Sequence, residues 1–159
     1  MKNAQSQPDF QAMAELRYQI RRFLRFSENA ARQAGLEPQQ QQLMLAVKGL
    51  PEGTKPTIGV LAERMQLQHH SIVGLIDRLV ERGLMVRLRA TDDKRQVLIK
   101  LTHSGEQWLN RLAWHHLHEL QSVGPTFSTV LKKLLDDQAS SNNDRIKSFT
   151  PPRTKSNHR

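Results

Sequence analysis

The sequence predicts a mainly α-helical chain with one small β-hairpin. Three observations carry that prediction. Apolar residues recur at helical spacing over most of the 159 residues. Two short helical stretches sit close together, joined by a four-residue connection, which is the helix-turn-helix arrangement. One stretch alone, residues 84–101, changes to period-two alternation around a polar turn.

The first helix is expected over about residues 10–34. Asp9 fits its N-cap, and Gly35 follows its end. Phe10, Met13, Leu16, Ile20, Phe23 and Leu24 fall near 3.6-residue spacing, while Arg17, Arg21, Arg22, Arg25 and Arg32 decorate other faces. Glu37-Pro38 opens a second helix to about residue 49, and its Gln39–Gln42 run reads as a polar first turn. Pro51-Glu52-Gly53 breaks the chain. Thr57 caps a short third helix, about 58–65. Met65-Gln66-Leu67-Gln68 leads into a fourth, about 69–82, which Gly83 ends.

Two strands come next. Leu84, Val86, Leu88 and Ala90 alternate with Arg87 and Arg89, so the apolar set is expected inward and the arginines outward. Residues 91–95 form a polar turn. Val97, Ile99 and Leu101 then alternate with Gln96 and Lys100, and Leu98 breaks the pattern. A hairpin placed directly after a helix-turn-helix is a wing. Thr102 caps a helix of about 103–122, Gly124-Pro125 is expected to end it, and a last helix covers about 126–137. The architecture is therefore a winged helix-turn-helix flanked by further helices. Residues 1–9 are expected to form a flexible arm and residues 138–159 a disordered basic tail.

Composition narrows the function. The chain is 37% hydrophobic, enough for a core, and has no cysteine, which removes disulfides, thiolate metal sites and cysteine nucleophiles. No apolar run approaches the ~20 residues of a membrane helix, and nothing behind Lys2 resembles a secretory leader. A cytoplasmic protein without membrane partners is expected. The net charge is +9 and the isoelectric point about 10.5. Such an excess suggests a polyanionic partner. Residues 140–159 account for +4 of it, so the placement of the remaining charges decides.

That placement favours DNA. In the fourth helix, Ile72, Leu75, Ile76 and Leu79 share one face and should pack inward. The other side presents His70, Ser71, Gly74, Asp77, Arg78 and Glu81. A helix in a major groove needs this division between a buried spine and short or hydrogen-bonding outer residues. Gly74 fits a close approach to DNA, and fits a tight packing contact equally well. The hairpin adds Arg87, Arg89, Lys94 and Arg95, cations suited to phosphates or to a minor groove. A merely solvated hairpin has the same composition. No phosphate-cradling glycine loop, H-E-x-x-H or G-x-S-x-G is present, so neither an enzyme nor a cofactor is expected.

The stretch from Asp93 to Gly105 matches D-x-R-x5-L-T-x-x-G at its fixed positions Asp93, Arg95, Leu101, Thr102 and Gly105. It resembles the wing signature of the MarR family of winged-helix transcriptional regulators. Leu61-Ala62-Glu63-Arg64-Met65 and Leu79-Val80-Glu81-Arg82-Gly83-Leu84 are similar to that family's framework, and the resemblance covers about residues 10–137. It implies a homodimer on a pseudo-palindromic operator in double-stranded DNA, most often a repressor released by a small-molecule effector such as a lipophilic anion. Dimerisation helices would lie at about 10–34 and 103–137, and the DNA-binding lobe at about 38–101. Surplus apolar positions, Phe10, Met13, Phe127, Leu131, Leu134 and Leu135, agree with a dimer.

By the same resemblance, Arg95 would reach the minor groove and Asp93 would orient it or brace the wing. His70, Ser71, Gly74 and Arg78 would face bases and phosphates. Arg78 would either read guanine or clamp a phosphate. Asp77 is expected to pair with a wing arginine, because a free carboxylate near DNA is repelled. Gly105 would allow close packing at the start of the following helix. The ligand pocket is not defined by the sequence, and no metal site is assigned. A metal-responsive regulator using His115, His118 and Glu119 would also fit, since these share a helix face. His116 falls with Leu109, Leu112 and Leu120, as a core or interface histidine would. A non-specific architectural DNA binder and a winged-helix protein-interaction module remain as alternatives from other classes.

Overall fold

In the computed structural model the chain order is α1 (Phe10–Gln33), α2 (Pro38–Lys48), α3 (Ile58–Met65), α4 (His69–Glu81), β1 (Met85–Arg89), β2 (Val97–Leu101) and α5 (His103–Ser148). The structure describes residues 8–148 apart from Asp92 and Lys94, with side chains as far as Asp136. Two compact units divide the chain. Phe23–Leu120 forms one, and the segments up to Arg22 and from Gln121 form the other. No helix among the described residues is long and apolar enough to cross a membrane.

Local chemistry sets the helix ends. Asp9 Oδ1 accepts from the Ala12 N–H at 2.8 Å, capping α1. At the far end Gly35 adopts φ +78°, and the Leu36 N–H donates to the Ala31 carbonyl, closing the helix. Gln40 Oε1 caps α2 by accepting from the Glu37 N–H at 3.1 Å. Thr57 caps α3 by accepting from the Val60 N–H. The turn between α3 and α4 places Gln66 in the left-handed region. Arg82, just past α4, donates to the Gly35 carbonyl at 2.8 Å and so fastens α4 to the α1–α2 turn.

The core of the larger unit is one apolar cluster. Leu43 and Met44 of α2, Leu61 of α3, and Ile72, Leu75, Ile76 and Leu79 of α4 are buried there with Met85 and Ile99 of the hairpin. Ala31 of α1 and Leu109 and Leu112 of α5 complete it. The inward spine of α4 is the one its spacing specifies. Each such side chain contributes about 1.5–3 kcal/mol by leaving water. The polar run of α2 differs from its expected exposure, since Gln40 and Gln41 are both buried.

β1 and β2 pair antiparallel, with Met85 opposite Leu101, Arg87 opposite Ile99 and Arg89 opposite Val97. Directly opposed residues share a face. Arg87 and Arg89 therefore lie on the face of Met85 and Ile99, whereas Val86 and Leu88 lie on the other and are exposed. Leu84 and Ala90 are buried and Arg87 and Arg89 exposed as expected, but Val86 and Leu88 are exposed and Met85 is buried instead. Only the base of the hairpin covers the core, so burial beyond Met85 imposes no alternation. Thr57 makes a further bridge to Leu98, and the Ile99 N–H donates to the Pro56 carbonyl. β2 is thus flanked on both edges, and Leu98 stands opposite Leu88 across the hairpin.

The start of α5 is fixed by Thr102. Its hydroxyl donates to the Gly83 carbonyl at 2.7 Å and accepts from the Gly105 N–H at 3.0 Å. Its own N–H donates to the Leu84 carbonyl. A Cβ at Gly105 would run into that same Leu84 carbonyl oxygen, so no larger residue fits without displacing backbone.

Gly124-Pro125 does not end this helix, contrary to expectation, and Pro125 lies inside α5. Proline removes the N–H that would reach the Gln121 carbonyl, but Gln121 and Pro125 are exposed, and water can satisfy the freed group. The Thr129 hydroxyl donates to the Pro125 carbonyl at 2.9 Å. The helix continues to Ser148, so its end does not coincide with the expected tail boundary at residue 138. Residues 149–159 lie outside the described part. In the smaller unit Asp9 Oδ2 also pairs with Lys133 Nζ at 2.6 Å. The Lys133 hydrogen bond, and then the Ala12 N–H, hold the Asp9 carboxyl below its ordinary pKa.

One histidine gives the larger unit an acid limit. His116 of α5 packs edge-on against Phe23 and Phe26 of α1, at centroid distances of 6.3 and 6.2 Å. Its Nε2 is buried without a hydrogen-bond partner among the described residues. Burial, opposed by the Ser27 backbone and assisted by His115, lowers its pKa from 6.5. The unfolded chain therefore takes up the proton first as pH falls. The contribution of His116 is complete above its unfolded pKa of about 6.5 and is lost progressively below it. Thermal melts should fall between pH 7 and pH 5, and His116→Phe should show a shallower decline. Parallel curves would contradict this role.

Candidate nucleic-acid interface

α4 and the hairpin present the candidate surface. On α4, His70 and Arg78 are exposed, while Ser71, Gly74 and Asp77 are half-buried. These residues lie on the side opposite the Ile72–Leu79 spine, as 3.6-residue geometry requires. The space above Gly74 is open. A Cβ there would meet only the Arg78 guanidinium, at an ordinary contact distance of 3.7 Å. Internal packing therefore does not call for glycine at this position.

The wing lies beside this helix. Arg87 Nη2 of β1 donates to Asp77 Oδ1 of α4 at 2.6 Å, joining the two elements. Arg89 is exposed, and neither it nor Arg78 has an ion-pair partner among the described residues. At the hairpin turn the Arg95 side chain is 93% exposed. Its N–H and Nε donate to Asp93 Oδ1 at 3.0 and 3.3 Å. Asp93 thus clasps both the backbone and the side chain of Arg95 and leaves the end of the guanidinium in solvent. Lys94, also a sequence candidate, lies outside the described residues.

Among the described residues no three His, Cys, Asp or Glu side chains converge to hold an ion, and His115, His118 and Glu119, weighed as an alternative from their spacing, form no such group. Shared spacing along one helix supplies too few ligands when no second element adds one.

A cleft that sequence spacing did not indicate lies between the C-terminal half of α1 and the first half of α5. It encloses about 560 Å³. Phe26, Asn29, Ala30, Gln33 and Ala34 line one wall, and Trp108, Arg111, Leu112 and His115 the other. The Arg111 guanidinium sits over the Trp108 ring, 5.0 Å from its centroid. The cleft joins helices about 80 residues apart in sequence, so no local pattern could reveal it.

Comparison with known proteins follows the lobe. The sequence model of the MarR family matches residues 34–96, which run from the end of α1 through α2, α3, α4 and β1 to the wing turn. Over 92 residues the chain is 30% identical to the HTH-type transcriptional repressor YetL of Bacillus subtilis (strain 168), covering 58% of this chain and 54% of YetL. Over 75 residues it is 33% identical to the HTH-type transcriptional regulator FarR of Neisseria gonorrhoeae, covering 47% and 49% of the two chains.

The chain is similar to the MarR family over residues 34–96.

The matched stretch spans about half the length of these curated relatives. The likeness in fold extends over more of the chain. The crystal structure of a probable transcriptional regulator from Pseudomonas aeruginosa superposes with a TM-score of 0.57 at 25% identity, over 83% of this chain and 99% of that one. In this chain the wing signature has a physical basis at both ends. Asp93 clasps Arg95, and Thr102 with Gly105 seats α5 against the strand base.

Proposed function

We propose that this protein is a homodimeric, sequence-specific DNA-binding transcriptional repressor released by a small-molecule effector. One observation carries the reading. The outer face of α4, with short side chains around Gly74, stands beside a cationic wing tied to it through Asp77 and Arg87. An α-helix of this kind fits the major groove, and an exposed Arg95 fits the adjacent minor groove or its phosphates. His70, Ser71, Gly74 and Arg78 face the bases and backbone, with Arg89, Lys94 and Arg95 on the wing. The repressor and regulator functions named for YetL and FarR support this reading over the matched segment.

Dimerisation follows from exposed apolar surface. In the smaller unit Phe10 is 67% exposed and Leu135 61%, with Met13 and Leu131 also exposed. A second copy of the chain would cover these residues. Paired α4 helices would then meet successive major grooves of a pseudo-palindromic site. The α1–α5 cleft suits the effector. Phe26 and Trp108 supply flat apolar walls, Arg111 supplies positive charge, and Asn29, Gln33 and His115 supply polar contacts. That combination favours a planar aromatic anion. Such a ligand releases DNA only if it binds the DNA-incompetent arrangement more tightly than the competent one.

Gly74→Ala separates fold from function. Removing a mid-helix glycine should stabilise the chain by up to about 1 kcal/mol. The added methyl on the docking face should weaken binding to a selected duplex by about tenfold. Paired melts and gel shifts check both effects, and undiminished binding would remove Gly74 from the interface.

The function itself is tested by selecting duplexes from a random pool and titrating salt. A repressor should prefer its selected site over random duplex by about 10³-fold or more. Equal affinity with a steep salt slope would replace this reading with an architectural binder.

A further inference from the structure

Of the four hairpin cations that are candidates for DNA contact, the three described ones, Arg87, Arg89 and Arg95, are placed differently. Arg87 stands opposite the fully buried Ile99, so its side chain leaves the core-side face of the sheet. From there it reaches back to α4, where Nη2 meets Asp77 Oδ1 at 2.6 Å. Arg95, by contrast, is 93% exposed at the turn, and Arg89 has no ion-pair partner among the described residues. Asp77 follows Gly74 by one helical turn on the outer side of α4. An unneutralised carboxylate there would repel phosphates. The pair cancels both charges at that point of the docking face. Both side chains remain partly exposed, at 35% and 49%, so the bond does little for folding. Its consequence falls on whatever approaches α4.

Building on the DNA-binding reading, we infer that Asp77 is a specificity-determining residue. It removes Arg87 from the cations that neutralise phosphate and turns it into a positioning residue that sets the wing against α4. Arg87 is therefore withdrawn from the direct DNA contacts. Sequence-independent attraction scales with the number of phosphates neutralised, so a cation withheld from phosphate lowers binding to every duplex alike. A wing held in register with α4 favours only the duplex whose grooves match both elements.

The experiment measures salt dependence on a selected duplex and on a random duplex for four full-length chains. Wild type sets the slope and the preference. Asp77→Asn should free Arg87, steepen the random-duplex slope by about 0.9, and strengthen random binding. Its preference for the selected duplex should fall by about tenfold. Asp77→Glu, which keeps the carboxylate, should restore most of that preference and the wild-type slope. Arg87→Ala should lower the preference without flattening the slope. An Asp77→Asn chain with wild-type slope and preference would overturn the inference, as would an Arg87→Ala slope flatter by about 0.9. A wild-type chain without any preference would remove the DNA-regulator reading itself, whereas a specific wild type with unaltered variants removes only the role of Asp77.

Discussion

Gly105→Ala should destabilise the protein by about 3 kcal/mol, the upper end for forcing extra volume into a packed site. The new methyl would meet the Leu84 carbonyl, which belongs to backbone and cannot rotate away. To admit it, α5 must lift from the strand base. That movement strains the bonds from Thr102 to the Leu84 and Gly83 carbonyls. For a chain of this length the melting temperature should fall on the order of 6–12 °C. Circular dichroism melts of the wild type and variant measure it directly. A melt within about 1 °C of wild type would mean that this approach is not tight.

Arg95→Ala should produce the opposite profile. The side chain is 93% exposed, so its loss should leave the melt unchanged. Affinity for the selected duplex should fall by about 10- to 100-fold, in line with about 1–3 kcal/mol for one well-placed contact. The salt slope should flatten by about 0.9 as one phosphate contact disappears. Gel shifts at several salt concentrations separate these effects. Unchanged affinity would exclude the wing turn from the interface, and a large stability loss would make Arg95 a structural residue.

Much of the fold could be read from the chain because local chemistry specifies it. Asp9, Thr57, Gly35 and Gly83 mark helix ends through caps and positive φ, and these signals act within four residues. The buried face of α4 follows from the spacing of Ile72, Leu75, Ile76 and Leu79. The direction of β1 did not follow, because Leu84-Met85-Val86 is a continuous apolar run and either parity satisfies it. Tertiary contact buries Leu84 and Met85 and leaves Val86 exposed. Likewise, Gly124-Pro125 is a strong local break signal, but on an exposed helix face its cost is small enough for α5 to continue.

The site was legible to a similar degree. The division of α4 into two faces gave its outer residues, and the wing motif gave Asp93 and Arg95. Sequence named Asp77 and Arg87 but not their bond, which joins residues on different elements. The α1–α5 cleft and the buried Gln40 and Gln41 depend wholly on long-range packing, so no periodicity marks them. His115, His118 and Glu119 share helical spacing, yet among the described residues no three such side chains form a metal-binding group.

The most direct test of the central claim is hydroxyl-radical footprinting of the full-length chain on a duplex selected from a random pool, with bound stoichiometry measured alongside. Two copies of the chain should protect two symmetric patches centred about one helical turn apart, and Arg95→Ala should erase the protection flanking each patch. A single asymmetric patch, or uniform protection that shifts freely along any duplex, would contradict the account.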